Sequence, residues 1–500
     1  MVKVNKKNKF KNKTFEFLTI FSLTFGIVVG SGIYLKNSSN DGVLKAAGNN
    51  PWVAMAVWLF VGVFACMMMF SFIEASTAAK KDDHNTMATM GAQFLGRRFG
   101  TVFSIFYIVI YLPVLTIIGA LFTVNALFGA IDTFLIWTKD TTLNALWGQE
   151  TRITVELLIG VVVLVSFQFL NSKYFTTGKW IQIIFTILKF VPLLMVLFGG
   201  FGLAIFGKVD SSSFDMVDAQ PFKVNQLFAC LIPILFAFDG FVDSVAAQKD
   251  IEHKSVVAPA MLAGIISVSV FYLLVTVAIF VSADDGNILE MFNKYGKVGP
   301  RLGLAFNVII VTTLLATINA YTTLYPKVLQ ASVEEGYIYN KNFGEKIKYG
   351  TACWVSAMIT NITLVIFVAL SLGLTWKTGE PDYFLVTYYS ADTGILYVFI
   401  IYALIMGGVL HNRKTKKVDV KPFKNTYWIQ VITLSVLIIM DVWMLYVSII
   451  DDGFVAFASS KDASDLVIPI LFIGFGALMG GTYWLNEYLI TKNNKIKNVK

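Results

Sequence analysis

The sequence predicts an all-α integral membrane protein with twelve transmembrane helices, and its composition is the first sign. Of the 500 residues, 56% are hydrophobic and only 14% are charged, and the mean hydropathy is +0.68. A soluble chain carries about 25% charged residues. The apolar residues are gathered in runs of about 20, the length at which a helix crosses a bilayer. Two interrupted runs, described below, further predict an inverted five-plus-five repeat with discontinuous helices 1 and 6.

The apolar runs give twelve candidate spans in order. Six lysines lie in the first thirteen residues. The apolar run that follows them is too long for the core of a secretory signal and is interpreted as a retained first span. The predicted spans are residues 15–35, 52–78, 100–128, 153–171, 180–207, 226–247, 259–282, 302–325, 350–373, 385–409, 427–449 and 465–489.

The distribution of basic residues predicts the orientation. Most of the 40 Lys and Arg lie in the two tails and in the even-numbered connections between spans. By the positive-inside rule, both termini are cytoplasmic. The net charge of +8 then reflects topology, and no nucleic-acid partner is needed to explain it. A composition rich in Lys, Asn, Ile and Phe is typical of a low-GC bacterium, and the plasma membrane is the expected location.

The first and sixth spans are interrupted near their middles. In span 1, "GIVVGSGIYLK" (residues 26–36) places two nearly adjacent glycines in a membrane helix, although glycine is roughly 1 kcal/mol worse than alanine there. Span 6 has Asp239-Gly240 at the matching position five spans later. Interrupted helices at matched positions are typical of transporters built from inverted repeats.

The matched interruptions predict how the chain is divided. Two five-helix repeats are expected to carry the two interrupted spans, and the last two spans are expected to lie outside them. The predicted parts are a basic tail (1–14), a first repeat (15–207), an inverted second repeat (226–409), two peripheral helices (427–489) and a second basic tail (490–500).

Backbone groups freed at the two interruptions predict a site for a zwitterion. The N–H groups of residues 30–32, with the positive end of the following half-helix, favour a carboxylate. The unwound carbonyls of span 1 and those of residues 238–240 favour an ammonium group. Gly26 and Gly30 also form a GxxxG pair, and Gly26 is interpreted as a helix-packing residue.

Four motifs resemble those of the amino acid–polyamine–organocation (APC) superfamily. "GIVVGSGIY" is similar to the carboxylate-binding turn of span 1, and "FAFDGF" to the break in span 6. "IQIIFTILKFVP" resembles the span 5 pattern with a lysine near helix 1, and "INAYTTLYPKVLQASVEEGYI" resembles the end of span 8. The likeness covers roughly residues 15–450 and implies an amino acid permease that works by alternating access.

Carried over by position, the resemblance implies a set of substrate-binding residues. They are Ile27, Val29, Gly30, Ser31, Gly32, Phe236, Phe238, Asp239, Gly240 and Val242. Phe236 matches the aromatic residue that caps the substrate. Val242 matches a side-chain specificity position, where the absence of a carboxylate favours neutral substrates.

The chain departs from the family pattern at three places. Asp239 stands where many relatives have a small or apolar residue. After span 6, Lys249 and His253-Lys254 replace a glutamate and an Asn-Pro pair, and Pro326-Lys327 replaces Ser-Arg in span 8. Details of the cytoplasmic gate are therefore expected to differ.

Charges inside the spans are candidates for coupling and gating, because an unpaired charge costs several kcal/mol in lipid. The resemblance places Lys189 beside the unwound part of helix 1, as a proton carrier or a structural cation. Asp239 and Asp243 are candidates for binding an ammonium or transferring a proton, and Asp243 alternatively faces water. Glu74 is expected to face an inner vestibule. Asp441 is expected in an oligomer contact or polar pair.

These patterns predict a secondary active transporter of amino acids, working by proton symport, exchange or uniport. The three histidines and three cysteines show no catalytic, metal-binding or cofactor-binding spacing, so an enzyme, a metal and a cofactor are not expected. The expected partners are an amino acid and the lipid bilayer, with a homo-oligomer left open. The alternatives are a non-transporting amino acid sensor and a polyamine or organic-cation transporter of the same fold.

Overall fold

Helices account for the regular secondary structure of the described residues. The computed structural model describes residues 13–29, 32–37, 42–78, 86–174, 184, 188–207, 211–216, 219–242, 253–284, 286–340, 347–376, 381–422 and 425–499. Apart from short 3₁₀ and π segments, every regular element in this part is an α-helix. The predicted all-α class is confirmed.

Nine helices of the described chain are long and apolar enough to cross a membrane, and they coincide with predicted spans 2–4 and 7–12. With the shorter helices between them, the elements in order are α1 (Lys13–Val28), α2 (Gly32–Asn37), α3 (Val43–Ala46), α4 (Pro51–Ser76), α5 (Met87–Leu95), α6 (Arg97–Lys139), α7 (Leu143–Trp147), α8 (Gln149–Lys173), α9 (Phe190–Ile205), α10 (Val224–Phe238), α11 (Val257–Ser282), α12 (Ile288–Asn293), α13 (Gly296–Glu334), α14 (Tyr349–Thr375), α15 (Leu385–Thr415), α16 (Tyr427–Ser460) and α17 (Ala463–Asn493). Spans 1, 5 and 6 correspond to the shorter helices α1, α2, α9 and α10. The count of twelve spans stays a prediction.

Both predicted interruptions are present. The first helix ends at Val28, and the chain becomes helical again at Gly32. In span 6, α10 continues through Pro233 and ends at Phe238. There Asp239 takes an extended ψ of 149°, and Gly240 has φ +89°, a left-handed conformation that glycine adopts without steric penalty. Helices 1 and 6 are therefore discontinuous, as the sequence predicts.

The helix contacts have an internal two-fold pattern. α6 packs along α13, α4 along α11, and α8 along α14. The contact of α1 with α11 has a counterpart in α10 with α4, and that of α6 with α8 in α13 with α14. When each helix is replaced by the helix five spans away, each of these contacts becomes either itself or another contact in this set. This exchange is what a five-plus-five repeat requires.

Glu74 lies at the end of α4 in a buried polar network with α15 and α16. Its carboxylate accepts hydrogen bonds from Arg413, including one from Nε at 2.9 Å, and from Gln430 at 3.0 Å. Arg413 also donates to Thr426. The expectation that Glu74 faces an inner vestibule is corrected, because its side chain is fully buried and its charge is paired.

The close approach of α9 to α11 depends on Gly200. A Cβ at this position would lie 2.2 Å from the carbonyl oxygen of Ala278. We expect Gly200→Ala to destabilise the protein by about 1–3 kcal/mol, because the two backbones must separate. The melting temperature of the purified protein in detergent measures this loss.

The matched control is Gly474→Ala in α17, where an added Cβ meets no atom within 4 Å. Alanine is also the better helix former, so this variant is expected to melt at the wild-type temperature or above it. Equal melting temperatures for the two variants would contradict the packing of α9 on α11.

Candidate substrate site

A cavity of about 670 Å³ lies where the two interrupted helices meet. Its wall is formed by α1, α2, α5, α6, α13 and α15, by the end of α10, and by Lys189 just before α9. The wall reaches Thr86 and Ser332, which adjoin connections predicted to be cytoplasmic. The cavity therefore extends from the helix breaks toward the predicted inner side.

Gly32 is the point of contact between the two interruptions. A Cβ at Gly32 would lie 2.8 Å from Cα of Ala237 and 3.4 Å from Cδ1 of Phe236. Only a residue without a side chain allows α2 to begin this close to the end of α10. The two breaks consequently share one wall of the cavity.

Tyr272 of α11 satisfies backbone oxygens from both interruptions. It is fully buried, and its hydroxyl lies 2.9 Å from the carbonyl oxygen of Val28 and 3.4 Å from that of Ala237. A buried carbonyl without a partner costs free energy comparable to a lost hydrogen bond. Sequence reasoning missed this residue, although a tyrosine within an apolar span was an available signal, because a buried hydroxyl usually has a partner.

Five predicted binding residues line the cavity: Gly32, Phe236, Asp239, Gly240 and Val242. Two others do not. Val29 is buried in the core, and Phe238 packs against Trp58 and Tyr272 with ring centroids 6.0 and 5.6 Å away. Both side chains are therefore core residues, and the predicted role of these two residues through their backbone carbonyls stays a prediction.

Three predicted residues lie outside the described part of the chain, and a fourth is only partly described. Gly30, Ser31 and Asp243 belong to the first group. The backbone of Ile27 lies in α1, whereas its side chain lies outside the described atoms. Their roles stay predictions.

Gly26 lines the cavity, and a Cβ added there would meet no atom within 4 Å. The interpretation of Gly26 as a packing residue is therefore corrected. Its carbonyl oxygen accepts a hydrogen bond from Nζ of Lys189, which also lines the cavity. The structure thus places Lys189 beside Gly26, which lies two residues before the end of α1.

The hydroxyl of Tyr111 donates a hydrogen bond to the carboxylate of Asp239, joining α6 to the break in span 6. Tyr111 is the last residue of a π-helical segment, Phe106–Tyr111, and its ring stacks on Phe106 with centroids 5.5 Å apart. Such segments often occur at functional sites. Sequence reasoning missed Tyr111, and Pro113, which cannot donate to a carbonyl one turn back, was the available signal.

A buried ion pair lies beyond the outer end of the break in helix 1. Nζ of Lys36 is 2.7 Å from Oδ1 of Asp392 and 3.3 Å from the ring centroid of Tyr388. Lys36 is fully buried. The pair fastens α2 to α15, away from the predicted cytoplasmic side. Sequence reasoning missed both charges, although Asp392 within predicted span 10 was an available signal.

Comparison with known families identifies the chain. A family model described as amino acid permease matches residues 15–485, nearly the whole chain. The chain belongs to this family. Membership agrees with the resemblance of its four motifs to the APC superfamily and supports a membrane transporter.

Individual relatives are distant. An uncharacterized protein of Mycoplasma pneumoniae is 20% identical over 543 residues, covering 95% of this chain and 91% of that protein. A manganese transporter of Eremococcus coleocola, in complex with an aromatic bis-isothiourea compound, has a TM-score of 0.56 at 15% identity, with 99% of each chain covered. A point mutant of that transporter has a TM-score of 0.54 at 16% identity, covering 95% of this chain and 96% of its own. The solved structures establish a shared fold.

The junction at Gly32 gives a direct test of this site. We expect Gly32→Ala to destabilise the permease by about 1–3 kcal/mol, because the new methyl group meets the main chain of Ala237. Gly26→Ala, six residues earlier, is the control and should be tolerated because its surroundings are open. The fraction of protein that stays monodisperse after heating, read by size-exclusion chromatography, compares them. Equal tolerance of both substitutions would contradict the contact between the two breaks.

Proposed function

We propose that this permease is a secondary active transporter that moves amino acids across the plasma membrane of a low-GC bacterium. The observation that carries the proposal is the meeting of two interrupted helices on the wall of one cavity, at Gly32 and Ala237. Non-helical backbone at membrane depth is tolerated where it lines a cavity or is buried in protein. The N–H donors and carbonyl acceptors predicted at the two breaks match the pattern of groups that a zwitterionic amino acid needs.

Alternating access fits the distribution of contacts around the cavity. On one side the wall continues along α13 to Lys327 and Ser332. On the other side α2 is fastened to α15 by the buried pair of Lys36 and Asp392. With both termini in the cytoplasm, this arrangement corresponds to an inward-open form of the transporter. In the outward-open form Lys36 and Asp392 separate and become hydrated, which offsets the loss of their ion pair.

Lys189 is proposed to hold the broken first helix and to take part in coupling. Its ammonium group donates to the carbonyl oxygen of Gly26, so a cation already satisfies the carbonyl end of α1. This position argues against a sodium ion there and favours proton symport or amino acid exchange.

A metal ion is not proposed as the cargo, although the similar solved structures are of a manganese transporter. The described residues contain no group of three or more His, Cys, Asp or Glu side chains that would hold a metal ion. In the described wall of the cavity, Asp239 is accompanied by Lys189 and Lys327. Manganese prefers several oxygen ligands, and the described wall offers one carboxylate.

Uptake by purified permease in proteoliposomes tests the proposal. We expect saturable uptake or exchange of at least one amino acid from a labelled panel, measured with and without a pH gradient. Lys189→Met should lower the initial rate roughly tenfold, because the carbonyl of Gly26 loses its charged donor. Lys173→Met is the control, since Lys173 lies at the exposed end of α8.

The outcomes of this experiment distinguish transport itself from the role of Lys189 in it. A panel of amino acids and amines that shows neither uptake nor exchange would contradict transport and favour a sensor. Wild-type rates in Lys189→Met would leave transport standing and remove the role of that lysine.

A further inference from the structure

We propose that Asp239 and Tyr111 select substrates whose side chain carries a positive charge, so that the permease takes dibasic amino acids such as arginine, lysine or ornithine. The inference rests on the proposed amino acid transport and names the substrate class. In this proposal the Asp239 carboxylate binds the positively charged group of the substrate side chain. The backbone carbonyls of the two breaks are left for its α-ammonium group.

The first observation is the charge on the cavity wall. Asp239 is the one acidic residue among the described residues that line the cavity, and it is partly accessible there. In the described structure no lysine, arginine or histidine forms an ion pair with it. Two lysines also line the cavity: Lys189 donates to the carbonyl of Gly26, and Lys327 lies on α13 toward the predicted cytoplasmic side.

The hydrogen-bond partners of the Asp239 carboxylate are uncharged. A charged group away from water is costly unless it is paired and hydrogen-bonded. The Tyr111 hydroxyl and the backbone N–H of Gly240 supply neutral hydrogen bonds to the carboxylate, and an ionised carboxylate has further acceptor sites. A substrate ammonium or guanidinium group would supply the missing charge, whereas an apolar side chain would leave Asp239 desolvated without a partner.

The second observation is the rigidity of Tyr111. Its ring lies between Phe106, on which it stacks, and Gly394 of α15, where an added Cβ would lie 3.2 Å from the ring. The hydroxyl is therefore held in place by α6 and α15, and it fixes one oxygen of Asp239. A carboxylate held in one orientation loses less freedom on binding a cation.

The third observation is the aromatic character of the wall. Aromatic faces attract cations within about 6 Å. Five aromatic side chains line the cavity with Asp239, namely Tyr107, Tyr111, Phe236, Tyr321 and Tyr402. The carboxylate and these rings together match a side chain that is both long and cationic. The expectation of neutral substrates, drawn from Val242, is thereby replaced: the carboxylate stands three residues earlier in the chain.

Isosteric pairs of amino acids isolate the charge. Arginine and citrulline have nearly the same shape, and only arginine is cationic. In proteoliposomes containing the wild-type permease, we expect arginine to be taken up with a kcat/KM about ten- to a hundredfold above that of citrulline, the range for a hydrogen bond to a charged group. Lysine and 2-aminoheptanoic acid, which has a methyl group in place of the ammonium group, form a second pair.

The variants place this preference on Asp239. Asp239→Asn removes the charge and still accepts the hydrogen bond of Tyr111, so the preference for arginine should fall to about twofold or less, with citrulline uptake retained. Tyr111→Phe should lower the preference only in part. Asp441→Asn is the matched control, because Asp441 is a buried aspartate in α16 that does not line the cavity, and it should keep the full preference.

The wild-type comparison alone decides the inference even if a variant fails to fold. Equal or better uptake of citrulline would overturn it while the proposed function stands. A full preference for arginine in Asp239→Asn would also overturn the assignment to Asp239. Failure to take up any amino acid would overturn the proposed function itself.

Discussion

Peptide groups at the middle of a membrane have no water to bind, and the rest of the structure depends on how two interrupted helices meet this constraint. Each interruption frees N–H and C=O groups that must find partners in the protein or in a cavity. The hydroxyl of Tyr272 lies within hydrogen-bonding distance of carbonyl oxygens from both breaks, and the ammonium group of Lys189 donates to the carbonyl oxygen of Gly26. Gly32, Asp239 and Gly240, which adjoin the two breaks, line the cavity.

The charged side chains hold the helices that carry these breaks. Lys36 with Asp392 fastens the outer half of helix 1, and His253 contacts Glu16 at the beginning of its inner half, with Nδ1 3.0 Å from Oε2. Asp239 differs from these paired groups, because in the described structure its hydrogen-bond partners are the neutral hydroxyl of Tyr111 and the backbone N–H of Gly240. Among the described residues that line the cavity, Asp239 is the one carboxylate.

Much of this architecture was predictable from the sequence, because apolar runs and helix-breaking residues act locally. Nine spans follow from hydropathy, and both interruptions follow from glycines and the Asp239-Gly240 step. The partners were not predictable, because Tyr272 and Val28 are 244 residues apart and Tyr111 and Asp239 are 128 apart. Gly26 was misread because the same GxxxG spacing occurs in packed helices and beside open space. Glu74 was misplaced because its partner, Arg413, lies 339 residues away in the last turn of α15.

The central claim is that the substrate occupies the cavity between the two breaks. Alkylation of one cysteine on the cavity wall tests it most directly. Thr317 of α13 lines the cavity, and Thr317→Cys in a variant with Cys66, Cys230 and Cys353 replaced by serine provides the probe. We predict that a transported amino acid slows the reaction of this cysteine with N-ethylmaleimide, with half of the effect near the KM for transport of that amino acid. In the control variant Lys461→Cys, at an exposed position, the reaction rate should not change. An unchanged rate at saturating concentrations of every transported amino acid would contradict the account.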